Sequence, residues 1–508
     1  MKNTIIFIFT LFTSMLYGQS VIKEMDILNL LDKNNFTYQS ALLNKEVAYQ
    51  NHMMTLSNQV PQLEFTTDPN SLGHPLYSYQ VSRDLFSGEE LMTHRIGAGL
   101  SLKQQVPGGG NLSLGFKNRL DIKNTADDNE PEYSQTPNVS LIYNQPLLYN
   151  NGLIDPGIHE AKNQLSQIGY LKSENNTKNL KNSLIYSAYS FAAQVQGLRK
   201  NRSYLEESIR IHTEDLKDLI IKKEQGRASE TDILSLKLNI GKKTEQLLEN
   251  RYILQEAEQN LRLFLGLESN SEQWVFDLEY GEINFPGEES KNTSGNPDFM
   301  ENIEKMMTHN AQIQLQELLS REVSLLNRLA GLDYASFLNV FISATPLYPR
   351  NRDNPEDFND SFTGLWHSEG GLDLSAGLAL TIPLFNGGKN KMRSIISRNN
   401  EQISLLALDE TKEKLKNTFN SLLFRRQILR EQIEQIKLNI DYENIMLQKE
   451  SDLYVLGGST QNELVRLELD MISLENKLLQ KKSELFLNTL DISSLLGYDL
   501  EGFITENM

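Results

Sequence analysis

Seven histidines are the first residues to weigh as catalysts or metal ligands: His52, His74, His94, His159, His212, His309 and His367. None stands in an HExxH or other paired-ligand spacing, so metal-assisted hydrolysis has no framework. The chain has no cysteine, which removes disulfides, thiolate metal sites, a thiol nucleophile and a lipidated N-terminal cysteine. "PGGGN" (107–111) lacks the lysine and Ser/Thr of a phosphate loop and reads as a hairpin turn. No enzyme, cofactor or metal site is expected. What stands out instead are two acids, Asp232 and Glu463, each just past a glycine turn in "GRASETDIL" and "GGSTQNELV". An acid there sits near a helix N-terminus, where the macrodipole favours it by roughly 0.3–1 kcal/mol.

Those two turns belong to a repeat. "KKEQGRASETDILSLKLNIG" (222–241) and "LYVLGGSTQNELVRLELDMI" (453–472) share a glycine turn, then Thr or Asn, an acid and a helix. Aligning Gly226 with Gly457 sets an offset of 231 residues, and the same offset pairs Gly266 of "LFLGLE" with Gly497 of "SLLGYD". The heptad positions obey it too. Ile233, Leu236, Ile240, Leu247, Leu254 and Leu261 map onto Leu464, Leu467, Met471, Leu478, Leu485 and Ile492. The chain is a duplication.

Each copy runs in one order. A shorter helix (about 24–59; about 298–332) precedes a strand-rich block (about 62–147; about 336–384). A very long helix (about 156–224; about 389–455), the glycine turn and a second heptad helix (about 230–265; about 461–496) follow. The copies span 19–267 and 298–508, joined by the turn-rich link 268–297. The long helices extend about 100 Å at about 1.5 Å per residue, and apolar residues at 3.5 spacing make them coiled-coil partners. "KSENNTKNLK" (172–181) interrupts the heptads with polar residues and predicts looser packing.

In the strand blocks the period falls to two. Leu372, Leu374, Ala376, Leu378, Leu380 and Ile382 alternate with Asp373, Ser375, Gly377, Ala379 and Thr381, and similar runs lie around 96–103, 139–144 and 338–345. Strands near ten residues long suit a tilted membrane crossing, with apolar side chains toward lipid and polar ones toward a lumen. A half-buried soluble sheet alternates in the same way. Context separates the two. Lys2, the apolar run Ile5–Tyr17 and the small residue Gly18 read as a secretory signal, residues 1–18, cleaved after Gly18. No other stretch is long and apolar enough for a spanning helix, and polar, acidic segments 121–136 and 348–371 read as outer loops between strands. One copy has too few strands to close a barrel alone, so closure requires several chains in a symmetric oligomer. A net charge of −18 argues against a nucleic-acid partner. A secreted structural coiled coil or surface adhesin is the alternative, and it leaves strands of membrane length inside each repeat unexplained.

This order, twice over, resembles the TolC-like outer-membrane efflux channel family. The signatures are "NQPLLYNNG" (144–152) and "TIPLFNGG" (381–388), where a strand passes through proline and a glycine turn into the long helix, together with the two tips and the "LFLG" and "SLLG" helix ends. The resemblance implies an α+β membrane protein, a homotrimer in which each chain gives four strands to one 12-stranded outer-membrane β-barrel. A periplasmic α-helical coiled-coil barrel would continue it. It implies a passive exit duct in the outer membrane, docked at its helical tips to a periplasmic adaptor and through it to an inner-membrane pump or type I secretion transporter. The docking tips would be Gly226, Arg227, Gly457, Gly458 and Ser459. Carried over residue by residue, the family's periplasmic gate falls on Thr231, Asp232, Tyr454 and Glu463. The family's basic partner falls on Ser459 and its second acid on Arg466, so the closing network would differ here, with Arg227 or Arg466 as replacement cations. "QQVPGGGNLSL" (104–114) departs from the pattern and reads as an extra hairpin.

Overall fold

The heptads and alternations fold as two kinds of structure, long helices and one antiparallel sheet. The computed structural model of the chain describes residues 21–507 except 23, 68–76, 84–89, 107–109, 126–131, 148–156, 268–274, 277–279, 281–284, 286–296, 331–335, 347–371, 383, 385–386 and 457. The signal segment 1–18, Gly457 and the loop 348–371 therefore lie outside the described residues. The first half comprises β1 (Val21–Ile22), α1 (Glu24–Asn34), α2 (Phe36–Ser57), β2 (Gln62–Thr66), β3 (Tyr77–Arg83), β4 (Glu90–Val106), β5 (Gly110–Thr125), β6 (Glu132–Leu147), α3 (Gly157–Glu224) and α4 (Glu230–Phe264). After β7 (Val275–Phe276) come α5 (Pro297–His309), α6 (Ala311–Ala330), β8 (Ser336–Pro346), β9 (Leu372–Thr381), α7 (Lys389–Val455), α8 (Gln461–Leu495) and α9 (Leu500–Asn507).

The four long helices start and stop within a residue or two of the sequence reading. The shorter ones do not run unbroken. Each is interrupted by an asparagine whose side chain caps the next helix. Asn35 Oδ1 accepts the Tyr38 N–H at 2.9 Å, and Asn310 Oδ1 accepts the N–H groups of Gln312 and Ile313 at 2.9 and 3.2 Å. The loop expected over 121–136 is also shorter, because residues 121–125 end β5 and 132–136 begin β6.

Two compact units divide the chain, one made of residues 47–172 and 318–405, the other of the remainder. In the first, β2 pairs β4 over Thr66–Gly99 to Gln62–Lys103, and β3 pairs β4 beyond it, from Tyr77–Ile96 to Arg83–Glu90. The two thus lie in succession along one edge of β4. Among the described residues the sheet holds seven strands in the order β2/β3, β4, β5, β6, β8, β9, which is six strands wide. The extra hairpin is real: β4 and β5 pair without a break from Leu91–Thr125 to Val106–Gly110. It gives the first block four strand positions where the resemblance implied two. The strand ends nearest in sequence to α2, α3, α6 and α7, at Gln62, Leu147, Ser336 and Thr381, all lie at the end of the sheet where Val106 pairs with Gly110.

The second unit is helical. Its largest core joins Ile27 and Leu31 of α1 to Ile185 and Tyr189 of α3, Leu261 of α4 and Phe486 of α8. α9, unforeseen from the sequence, adds Leu500, Phe503 and Ile504 to it. Val21 and Ile22 pair in parallel with Val275 and Phe276 of the inter-copy link. The polar run 172–181 does not loosen the packing. Asn175 donates to the Ala311 carbonyl at 2.9 Å, Glu174 pairs with Lys45 at 3.1 Å, and Lys181 pairs with Asp32 at 3.1 Å and with Glu501. A polar side chain inside a helix bundle is stable when it finds a partner, and these find theirs on other helices. Among the described residues, no helix is long and apolar enough to cross a membrane.

Candidate functional site

Strand register decides which residues share a face. Leu63 and Phe65 of β2 stand opposite Leu102 and Leu100 of β4, which stand opposite Leu114 and Phe116 of β5. The same face continues through Val139 and Leu141 of β6, Ile342 and Val340 of β8, and Leu374, Leu378 and Leu380 of β9. It is exposed: Phe65 keeps 65% of its surface, Leu63 72%, Leu374 66% and Leu378 74%. The other face carries Arg95, Gly97, Gly99, Ser101 and Lys103 on β4 and Lys117, Arg119 and Asp121 on β5. Asp121, Gly97 and Gly99 are buried on it. The sheet is inverted relative to a soluble one, whose apolar face would be covered. Ile142, Phe341 and Gly377 form a small apolar patch on the polar face; the Phe341 ring occupies the space that a side chain at 377 would need.

At the far ends of the long helices the two tips repeat one construction. The first turns through Gly226, at φ +72°, with the Gly226 and Arg227 amides donating to Lys223 and Lys222 at 2.8 Å. Only glycine adopts that backbone without strain. Ser229 then caps α4: its hydroxyl accepts the Asp232 N–H at 3.1 Å, and the Asp232 carboxylate accepts the Ser229 N–H at 3.0 Å. Thr231 bonds the Ser229 hydroxyl at 2.6 Å. Across the turn Lys223 pairs with Glu230. In the second tip Thr460 and Glu463 form the same reciprocal box, with bonds of 3.4 and 3.0 Å, and Gly458 donates to Leu453 at 2.8 Å. Both acids are exposed, and both are held below their usual range: Asp232 by hydrogen bonds from the Ser229 side chain and backbone, Glu463 by the Thr460 backbone, then Ser459 and Thr460 hydroxyls.

Ser459, where a basic residue was expected from the resemblance, bridges acids instead. Its hydroxyl lies 3.0 Å from Glu463 and hydrogen-bonds Glu450. Arg466 acts on an acid that sequence reasoning passed over. The Asp215 carboxyl of α3 is pushed up mainly by burial, and His212 and then Arg466 offset part of that push. Tyr454 is 43% exposed on the last turn of α7. The structure brings Thr231 and Asp232 together in one cap and Ser459 and Glu463 together in the other. It records no ion pair for either cap acid among the described residues. The sequence signal for the caps was present, since Ser229–Asp232 and Thr460–Glu463 have capping-box spacing; Glu450 and Asp215 had none.

No family model matches the sequence, and no curated protein matches it. Solved structures do match. The CmeC outer membrane channel of Campylobacter jejuni superposes with a TM-score of 0.62 at 13% identity, over 95% of this chain and 89% of that one. CusC, which forms a transmembrane channel, gives 0.60 at 15% over 95% of each chain. The MtrE outer membrane channel of Neisseria gonorrhoeae, in its open state, gives 0.58 at 14% over 94% and 89%. With an inverted sheet, paired long helices and these superpositions, the chain has the fold of the TolC-like outer-membrane channels.

Proposed function

We propose that the protein is a passive outer-membrane duct for efflux or type I secretion, with a large periplasmic portion. The observation that carries this reading is the exposed apolar sheet face backed by a polar one. Burying that face in lipid removes it from water at roughly 25 cal/mol per Å², and the polar face then lines a lumen. A membrane sheet cannot leave open edges, because lipid offers no hydrogen bonds to unpaired strands. β9 on one side and β2/β3 on the other therefore pair with further copies of the chain. The helices support the same assembly: α4 leaves Leu234, Leu238, Leu248 and Tyr252 exposed, at heptad-like spacing. Three copies, each six strands wide, would give eighteen strands, in place of the twelve that four per chain would supply.

In this reading the copies 19–267 and 298–508 contribute equivalent helices to the periplasmic tunnel, with 268–297 between them. The tips at Gly226, Arg227, Gly457, Gly458 and Ser459 dock a periplasmic adaptor fed by an inner-membrane transporter. Thr231, Asp232, Tyr454, Glu463 and Arg466 form the gate. The test is purification from outer membranes in detergent, mass by light scattering, and reconstitution in planar bilayers. A mass three times that of the mature chain and stable single-channel conductance are expected. A monodisperse monomer without conductance would overturn the duct.

A further inference from the structure

We infer that the first turns of α7 in one copy of the chain receive α2 of the next copy, in the place that α6 takes on α3 within a chain. This contact rests on the several-copy assembly of the duct reading and names the helix faces that meet in it. The short helices repeat as the long ones do. Asn35 and Asn310 cap α2 and α6 in the same way, which sets an offset of 275 residues between those helices. The packing keeps that offset. His52 Nδ1 of α2 lies 2.8 Å from Ser166 Oγ of α3, and Asn327 of α6 donates to the Ser397 carbonyl of α7 at 3.1 Å. His52 and Asn327 are 275 residues apart, and Ser166 and Ser397 are 231 apart. α2 therefore lies on α3 as α6 lies on α7. A third contact, α3 with α6, joins the two pairs, and its repeat would be α7 with α2.

Lys172 of α3 pairs with Glu322 of α6 at 2.6 Å, Asn175 donates to the Ala311 carbonyl at 2.9 Å, and Ala161 and Leu329 belong to one apolar cluster. The two offsets carry these pairs to Ile403 with Val47, Leu406 with Phe36, and Met392 with Met54. All six are apolar and all are exposed, from 58% at Val47 to 75% at Phe36. Releasing water from both faces favours their contact. α2 buries none of its residues fully, whereas α6 buries Ile313 and Leu325. The sheet supplies continuity. α2 is followed by β2 at one edge of the sheet and α7 follows β9 at the other, so joining edge to edge between copies brings α2 to α7. The two faces differ, so the contact builds a ring and not a two-fold dimer. The change from polar to apolar also sorts the contacts. An α2 face set on α3 in place of α6 would put Val47 and Phe36 where Lys172 and Asn175 need partners, and an unpaired charge rejects a wrong neighbour.

Paired cysteines test the contact in the full chain, which has none of its own. With Ile403→Cys and Val47→Cys, a short bifunctional thiol reagent should give bands of two and three chains on denaturing gels, and nothing larger. Lys172→Cys with Glu322→Cys should consume both thiols and leave the mass of a single chain. Neither Ile403→Cys nor Val47→Cys alone should give a product. A single-chain band from the first pair while the second reacts overturns the contact, as does a ladder beyond three chains or a dimer from one cysteine. A charge exchange reads the same contact without thiols. Val47→Glu and Ile403→Lys, each alone, should lower the temperature at which the assembly dissociates in detergent by buries of unpaired charge between copies. Together they rebuild the Lys172–Glu322 pair between copies and should recover most of that loss. A pair no better than the worse single variant overturns the contact; if the charged variants fail to fold, the cysteine pairs carry the test. A covalent trimer that never conducts in bilayers leaves this contact standing and overturns the duct, and a conducting trimer whose thiols stay unlinked does the reverse.

Discussion

Asn310 donates from Nδ2 to the Leu495 carbonyl at 2.8 Å, and Asn35 makes the same bond, at the same 2.8 Å, to the Phe264 carbonyl. Phe264 and Leu495 are related by the offset of 231. Each asparagine also caps its own helix, so one buried side chain joins the break between two short helices to the end of a long one. Beside each bond a glycine turns the chain at positive φ, Gly266 at +65° and Gly497 at +88°. A side chain there would strike the backbone of Asn34 or His309. That close approach is the physical reason for glycine in "LFLG" and "SLLG".

Asn310→Ala should therefore lower stability by about 1–3 kcal/mol, the cost of leaving a buried carbonyl and two amides unsatisfied. Gly497→Ala should cost at least about 1–2 kcal/mol for the left-handed backbone alone. Thermal unfolding in detergent checks both. If Asn310→Ala melts with the parent, the bond contributes nothing and the junction is held by apolar packing.

Lys181 ties the N-terminal and C-terminal helices of the helical unit, pairing with Asp32 on α1 and Glu501 on α9, with Tyr38 5.4 Å from its ammonium. Burial alone would pull its pKa down, but Glu501 and Asp32 overcome that and raise it. A raised lysine stabilises the fold fully below its unfolded pKa, so the pair should be insensitive to pH through the neutral range. Lys181→Met should cost about 1–3 kcal/mol by leaving two carboxylates facing each other, partly relieved because both are about a third exposed. Lys181→Arg should recover most of it. Equal melting of the Met variant and the parent would reduce the clasp to a surface pair.

Lys181 also marks where sequence reading reached its limit. The duplication, the long helices and the inverted sheet were legible because each is periodic: heptads fix which helical residues face a neighbour, and alternation fixes which strand residues share a face. The run 172–181 was read as a weak point because polar residues break a heptad. Its partners lie on α1, α2, α6 and α9, too far along the chain for any local pattern to show. The strand count was half legible, since "PGGG" announced a turn but not the sixteen-pair register from Leu91–Thr125 to Val106–Gly110 around it. At the tips, the acids were visible and their caps had a spacing rule, whereas the Ser459–Glu450 bond depends on how tightly one particular turn closes. α9 did leave a signal, Leu500, Phe503 and Ile504 at helical spacing, which was short enough to miss.

Asp491 on α8 offers a pH test. Burial is the main reason its carboxyl is pushed up to about 6 from 3.8, with Arg425 and a hydrogen bond from Tyr186 opposing the shift. The folded chain then holds a proton that the unfolded chain has released between about pH 4 and 6. Stability should fall as pH rises through that window, and the whole cost is present at pH 7. Asp491→Asn keeps an acceptor for Tyr186 and leaves Arg425 at an exposed position. It should melt above the parent at pH 7 and converge with it below pH 4. A variant less stable than the parent at pH 7 would mean that the Arg425 pairing outweighs burial.

The cap boxes sharpen the test of the gate. Asp232 and Glu463 both carry charge and both complete a helix cap, so replacing them with alanine removes two things at once. Loss of a cap costs about 0.5–2 kcal/mol, and frayed tips alone could alter conductance. Asp232→Asn with Glu463→Gln keeps an oxygen to accept the Ser229 and Thr460 amides while removing the charge. In a threefold duct these acids number six, and a ring of them near the axis favours cations. The amide pair should then lower cation preference in bilayer recordings while leaving thermal stability within about 0.5 kcal/mol of the parent. The alanine pair should lower both. Arg466→Ala and Tyr454→Phe should raise conductance if they help hold the closed tip. Introducing a cation at the bridging hydroxyl, Ser459→Arg, should do the reverse: it would meet Glu450 and Glu463 directly and tighten the turn against opening. If the amide pair matches the parent in conductance and selectivity while the alanine pair loses only stability, Asp232 and Glu463 are helix caps and the gate lies elsewhere on the tunnel.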